Sequence, residues 1–443
     1  MIVYTARWVL PISRRSFEKG AVGVENGRIA YVGPASDAPP GTRVDLGECA
    51  LMPGLVNTHS HLELTAMRGW LEDLPFRQWV LRLTRARKEI LGPPALLASA
   101  RLGIAEGLLA GITTYADTSE SGAVQTAMRD MSVRGVMYLE VFGPQPEKAQ
   151  PAMAEWRERA STIRNSDTSL VRTGISPHAP YSVSDDLFAA AAQVAIEDDL
   201  PIAVHAAESE AEQRLVTEAS GDFADALRAR GIGVAPRAPS TISLLERTGV
   251  LKARPLLIHC VRANSDDIRR VADNGCSVAH CPASNAKLGH GVADLAGFLE
   301  AKVAVGLGSD SVASNNRMDL LDEARLAALF SRAARRQWDS LPAALGLELA
   351  TLGGAKALRL DREIGTLDLG KSADLAAFPL DGLHTQPVQD PESALVFATS
   401  GRGARLVTVA GQELVQAGQL VHRVVDDVLL VRNVADVLRR LAM

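Results

Sequence analysis

Cysteine is scarce, with four in 443 residues, and Cys49, Cys260, Cys276 and Cys281 show no framework spacing. That excludes a disulfide-stapled scaffold. Cys260 and Cys281 directly follow histidines at the ends of apolar runs, and all four are expected as reduced thiols in the core. Nowhere do about 18 apolar residues run consecutively, which excludes a membrane-spanning helix. The amino end, MIVYTARWVLPISRRS, lacks the basic-then-apolar order of a secretion signal. Neither sign of charge dominates, with 47 lysines and arginines against 52 aspartates and glutamates and a formal net charge of −5. That balance argues against nucleic acid or an acidic membrane surface as partner. The expectation is a cytoplasmic protein whose partner is a small molecule.

What the chain does have is a run over residues 52–63, MPGLVNTHSHLE, that ends in His59 and His61. Two histidines two apart on an extended strand point the same way, so both imidazoles can reach one metal ion. Alone, the pair reads equally well as two solvated or hydrogen-bonded rings.

Residues 1–52 carry short strand-like pieces (AVGVENGRIAYVG) broken by Asn26-Gly27, which is hairpin chemistry and reads as part of a β domain. From 53 to 358 short apolar strands alternate with longer helical stretches: LVNTHSH, TTYAD, VMYLEVFG, LVRTGISPH, PIAVHAAE, PLLIHC, SVAHCPASN and VAVGLGSDS each precede a helix-like segment. Eight such units predict an α/β fold in which a parallel sheet closes as a (β/α)8 TIM barrel. A doubly wound open sheet is the alternative, disfavoured because no early strand is followed by a glycine-rich phosphate fingerprint. Residues 359–443 return to β character (IGTLDLGKSADLAAFPL, LVTVAGQELVQAG) and finish in a helix, VADVLRRLA. The two chain ends are expected to pair as one small discontinuous β-sandwich domain.

Polar residues then fall in register with the strands. His178 ends the fourth, His205 the fifth, His259 the sixth, His280 the seventh and Asp310 the eighth. In a parallel barrel the C-terminal strand ends converge on one mouth, where such folds place their chemistry. Six of nine histidines in one ring favours a shared site over six separate structural roles.

The runs MPGLVNTHSHLE, SPHAPYSVS, VHAAE, LIHC, VAHCPASN, GLGSDS and IGTLDLGKSADLAAF together resemble the amidohydrolase superfamily, in the branch of cytosine, guanine and S-adenosylhomocysteine deaminases and triazine chlorohydrolases. The resemblance spans nearly the whole chain. It implies a mononuclear site in which His59, His61, His205 and Asp310 hold one divalent metal, zinc by ligand type, with iron the other candidate. A second metal would need a bridging lysine at the fourth strand end, and LVRTGISPH contains none. The resemblance also implies three catalytic roles. Glu208 is the proton shuttle, for which the competing reading is a helix-capping carboxylate. His259 polarises the attacking water, and Asp310 is both ligand and proton acceptor. His280 faces substrate or satisfies a backbone group. Relatives of this kind often pair, so a homodimer is an expectation.

Substrate contacts are expected from His178 and from Trp79 in LPFRQWV, for which ordinary helix packing is the competing reading. The chain departs from S-adenosylhomocysteine deaminases in reading HSHLELT for HTHAPMT, with Glu63 at the proline, and in having LRLTRARKEI, with Lys88 and Glu89, where those carry a ribose-gripping glutamate. HLE with a small hydroxyl residue, Thr65, two positions on, together with EVFG, resembles aminodeoxyfutalosine deaminases, whose substrate ends in a benzoate. Arg82 and Arg85, three apart on one helical face, are the expected carboxylate grip, with a solvated basic face as the competing reading. The expected activity is therefore hydrolytic deamination of an aminated purine nucleoside, foremost aminodeoxyfutalosine. S-adenosylhomocysteine or methylthioadenosine deamination and triazine dechlorination are the alternatives. A metal-retaining barrel that binds a purine without turnover is the non-enzymatic one.

Overall fold

The computed structural model describes residues 1–399 and 403–442. Strands β1 (Ile2–Val9), β2 (Phe17–Glu25), β3 (Arg28–Pro34), β4 (Thr42–Asp45) and β5 (Cys49–Pro53) open the chain. Asn26 and Gly27, with φ of 50° and 75°, make the tight turn between β2 and β3, because a two-residue hairpin of matching twist needs positive φ at both positions.

Eight strands follow: β6 (Leu55–Ser60), β7 (Ile112–Ser119), β8 (Arg134–Val141), β9 (Val171–Pro177), β10 (Ala203–Ala206), β11 (Leu256–His259), β12 (Ser277–His280) and β13 (Ala304–Leu307). All pair in parallel, as β6-β7-β8-β9 and β10-β11-β12-β13. The two sheets touch at both outer edges through single bridges, Ile175 to Ile202 and Ser60 to Asp310. Almost every residue of these strands is buried, as expected when helices cover the faces of a parallel sheet.

Strands β14 (Leu375–Pro379), β15 (Leu406–Val409), β16 (Gln412–Gln416) and β17 (Gln419–Leu420) join β1–β5. The pairing corrects the expected sandwich, because all nine strands form one hydrogen-bonded sheet. One edge of β1 is shared in succession: Ile2–Thr5 pair with β4 and Trp8–Val9 with β5. β5 then pairs with β14, so the ladder crosses from one chain end to the other without a break. A buried ion pair, Arg134 Nε to Asp374 Oδ2 at 2.8 Å, fastens the start of β8 to this sheet.

The last helix (Val425–Ala442) also departs from expectation, lying on the parallel-sheet body and not within the β domain. Val431, Val434 and Leu438 pack with Leu64, Met67 and Leu71, and Trp70 Nε1 donates to the Leu438 carbonyl at 2.9 Å. None of the four cysteines is bridged, and all are buried. Among the described residues no helix is long and apolar enough to cross a membrane.

Backbone closeness holds the eighth strand in place. A Cβ on Gly306 would lie 2.3 Å from Thr58 Cγ2 and 2.7 Å from Gly354 Cα. Gly306→Ala is therefore expected to destabilise the fold by about 1–3 kcal/mol through overpacking, read as a lower urea midpoint. An unchanged midpoint would show that the strand shifts freely at this point.

Candidate active site

The polar side chains at the C-terminal strand ends meet in one cleft of about 710 Å³, partly open to solvent, whose walls include His61, His178, His205, Glu208, His259 and Asp310. His59 Nε2 lies 3.2 Å and His61 Nε2 3.7 Å from Asp310 Oδ1. His61 and His205 bring their Nε2 atoms to 3.4 Å. Buried His59 Nε2 has no hydrogen-bond partner despite the nearby carboxylate, because that contact lacks hydrogen-bond alignment.

Four donors bound to one zinc at about 2.0–2.1 Å in a tetrahedron stand about 3.4 Å apart, and the pairs His59–Asp310, His61–Asp310 and His61–His205 stand 3.2, 3.7 and 3.4 Å apart. The donor atoms of His59, His61 and His205, and those of His59, His259 and Asp310, each lie within 4.8 Å of one another.

Charge points the same way. Burial, with neighbouring imidazoles, drives His61 down to about 3 and His205 well below its ordinary value. Burial lowers His59 too, against the pull of Asp310. Burial opposes ionisation of Asp310, but the adjacent His59 and His259 outweigh it and hold the carboxyl well below the usual range. Burial likewise opposes Glu208, and His259 and His290 outweigh it. The rings of His59, His61 and His205 are thus pushed toward the neutral, metal-binding form beside two buried carboxylates whose charge a divalent cation would balance.

The surroundings aim these groups. His205 Nδ1 faces the His178 carbonyl at 3.1 Å and His259 Nδ1 faces Asn285 Oδ1 at 2.9 Å; these contacts assign the ring protons to Nδ1 and leave each Nε2 free. Asp310 Oδ2 accepts from Ser284 Oγ at 2.5 Å and Ser314 Oγ at 3.0 Å, which turns Oδ1 toward His59 and His61. His259 and Asp310 hold φ of 75° and 56°. Backbone in this sparsely populated region is kept only where the surroundings impose it; here the Asp310 amide donates to the His59 carbonyl at 2.9 Å.

Glu208 is not the helix cap. Ser209 Oγ accepts from the Glu212 amide, and the Glu212 carboxylate accepts from the amides of Ala207 and Glu208. The Glu208 side chain is left in the cleft, with Oε1 3.6 Å from His259 Nε2 and 3.5 Å from His290 Nε2.

Against the expected substrate contacts, His178 and Trp79 line the cleft. Glu63 lines it too, but its oxygens are engaged by Arg87 and by Ser121 Oγ, so it braces the wall and offers no free acceptor. His280 is buried at the end of β12 and is not among the cleft-lining residues. Arg82 and Arg85 are corrected outright. They are exposed, Arg85 pairs with Glu89 at 3.0 Å, and both border a separate surface depression. The helix Phe76–Glu89 instead turns Phe76, Trp79, Val80, Leu83 and Arg87 to the cleft. Arg82→Ala and Arg85→Ala are each expected to change kcat/KM by less than about twofold on any substrate, as surface changes do. A tenfold loss confined to a carboxylate-bearing substrate would restore them to the site.

Sequence reading missed Arg87, His290, Asn285 and Glu140. The apolar stripe 76-79-80-83 does point on to Arg87, but nothing local marks the others.

The amidohydrolase family pattern matches residues 50–414. This chain belongs to that family. The amidohydrolase is 32% identical over 423 residues, 93% of each chain, to a protein of Moorella thermoacetica named 5-methylthioadenosine/S-adenosylhomocysteine deaminase. Its fold superposes with a TM-score of 0.88 at 30% identity on a zinc-bound adenosine deaminase from Xanthomonas campestris, covering 99% of this chain and 98% of the other. It superposes with a TM-score of 0.85 at 26% identity on atrazine chlorohydrolase from Arthrobacter aurescens TC1 complexed with zinc, covering 98% and 100%. Aminofutalosine deaminase from Helicobacter pylori, at 21% identity and a TM-score of 0.79 over 94% and 100% of the two chains, shares the fold. The amidohydrolase is a hydrolase acting on carbon–nitrogen bonds, by hydrolytic deamination.

Proposed function

We propose that the substrate is a 6-aminopurine nucleoside with a small or apolar 5′ group, deaminated at one divalent metal, zinc, and that the two parallel sheets are halves of one (β/α)8 barrel with this site at its mouth. One observation carries the reading. Glu208, whose helix is capped by Ser209, faces the same cleft as His61, His205 and Asp310, and these three with His59 are linked by donor contacts of 3.2, 3.7 and 3.4 Å.

His59, His61, His205 and Asp310 would hold the ion. When bound, it supplies a water ionised near neutral pH. His259, fixed through Asn285, directs Nε2 into the cleft, where it would orient the attacking water. Glu208 would accept one proton of the attacking water and pass it to the ring nitrogen, and the second proton, from the added hydroxyl, would pass through Asp310 to the departing amine, so that the ring carbon exchanges nitrogen for oxygen and ammonia leaves. Phe76, Trp79, Leu83, Phe142 and Tyr181 give the purine and its 5′ end an aromatic and apolar wall.

Among the described residues that line the cleft, Arg87 is the one arginine, and it is paired with Glu63 and Glu120. A benzoate would find no unpaired guanidinium there, so 5′-methylthioadenosine and adenosine are favoured over aminodeoxyfutalosine and the triazines. Ammonia release from purified enzyme across these compounds and S-adenosylhomocysteine tests the choice. The expected order places methylthioadenosine or adenosine first by at least about tenfold in kcat/KM, since an apolar pocket and an uncompensated carboxylate differ by that much. Preference for aminodeoxyfutalosine would overturn it.

A further inference from the structure

Glu140, the penultimate residue of β8, is 4% exposed and lies in the wall of the cleft, yet its Oε1 has no hydrogen-bond partner among the described residues. Buried carboxyl oxygens are ordinarily satisfied. Arg87 does not fill the gap, because it is directed to Glu63 and Glu120.

His178 Nε2 lies 4.0 Å away, too far for a hydrogen bond, and the donor atoms of Glu140, His178 and His205 lie within 4.8 Å of one another. The state of that nitrogen follows from its surroundings. Ser182 Oγ donates to the Ala179 carbonyl, so it accepts from His178 Nδ1–H at 2.7 Å, and Nε2 is left as an acceptor. An imidazole acceptor and an unsatisfied carboxyl oxygen therefore face each other across a gap in the wall. Phe142, 4.9 Å from the His178 ring, and Tyr181 flank it.

A hydroxyl can both donate and accept, and two adjacent hydroxyls would engage both atoms at once. The helix that follows Trp79 offers no competing acid, because Glu89 is exposed and paired with Arg85. We infer that Glu140 and His178 together form the recognition site for a vicinal diol, the 2′,3′-hydroxyls of the nucleoside sugar, and that Glu140 makes the enzyme selective for ribosides. This rests on the nucleoside reading above.

The test compares adenosine with 2′,3′-dideoxyadenosine on the zinc-loaded enzyme. Wild type should prefer adenosine by about 30-fold or more in kcat/KM, because a site built to pair a hydroxyl rejects the analogue that lacks it. In Glu140→Gln and Glu140→Leu that ratio should collapse to below about threefold through loss on adenosine, with metal content retained. A merely structural role would lower both substrates together. A wild type indifferent to the diol, or metal-replete variants with an unchanged ratio, would overturn the inference.

Calorimetric binding of purine riboside and its 2′,3′-dideoxy analogue, which carry no amine to lose, separates this claim from the deamination reading. If wild type deaminates neither nucleoside, a diol preference in binding that the variants lose still upholds the Glu140 site, and its absence rejects it.

Discussion

Glu208→Gln is expected to lower kcat by about 10²–10⁴-fold, the range associated with a positioned general acid–base, while metal content stays at about one equivalent. The expectation follows from geometry and charge. The carboxylate lies 3.6 Å from His259 and 3.5 Å from His290, its helix is capped by Ser209 instead, and both histidines favour its ionised form against burial. Glutamine keeps the shape but cannot carry the proton. Ammonia release from 5′-methylthioadenosine or adenosine, with elemental analysis of the same samples, checks this. Equal activity of wild type and variant would remove Glu208 from the mechanism. Inertness of both across a broad aminopurine panel would favour a metal-retaining binding barrel.

Removal of the metal should have an effect of comparable size. Chelation is expected to abolish measurable turnover and to lower Tm, because an ion that binds only the folded chain stabilises it by mass action. His205→Ala should lose most of the metal and, with it, turnover by at least about 10³-fold, since the ionised water goes with the ion. The structural reason is that His205 contributes an Nε2 3.4 Å from that of His61, on a ring held by its contact to the His178 carbonyl. Elemental analysis should give about one equivalent per chain for wild type, with zinc restoring activity to the stripped enzyme. Two equivalents would contradict a mononuclear site.

The strand ends were legible because their signal is local. A period-two strand followed by His-x-His, and seven further apolar runs each closing on polar residues, can be read without knowing any distance. The positions of β6 to β13 follow those runs closely. The helix face of Arg87 was only half legible. Arg82 and Arg85 satisfy the same spacing rule as the stripe Phe76, Trp79, Leu83 and Arg87, and periodicity identifies two faces without saying which one meets the cleft. Apolar content favours the stripe of Phe76, Trp79 and Leu83, although Arg87 ends it in a charge. His290 and Glu140 carried no pattern at all, because their roles come from loops and strands far apart in the chain.

The outer sheet teaches the same distinction. Alternating residues announced strands at both chain ends, but whether they form two sheets or one depends on β1 offering a single edge to β4 and then to β5. The C-terminal helix is amphipathic by sequence; that it lies against Leu64, Met67 and Leu71 is a property of the assembled body.

By itself, then, the amino-acid order determined which segments extend, which coil and which residue types stand at the strand ends, because those are set by interactions between neighbours a few positions apart. Only the tertiary structure decided which carboxylates remain unpaired, which arginine turns inward and which imidazole nitrogens are free. Each of those depends on the partner that folding brings alongside and on how much water it excludes.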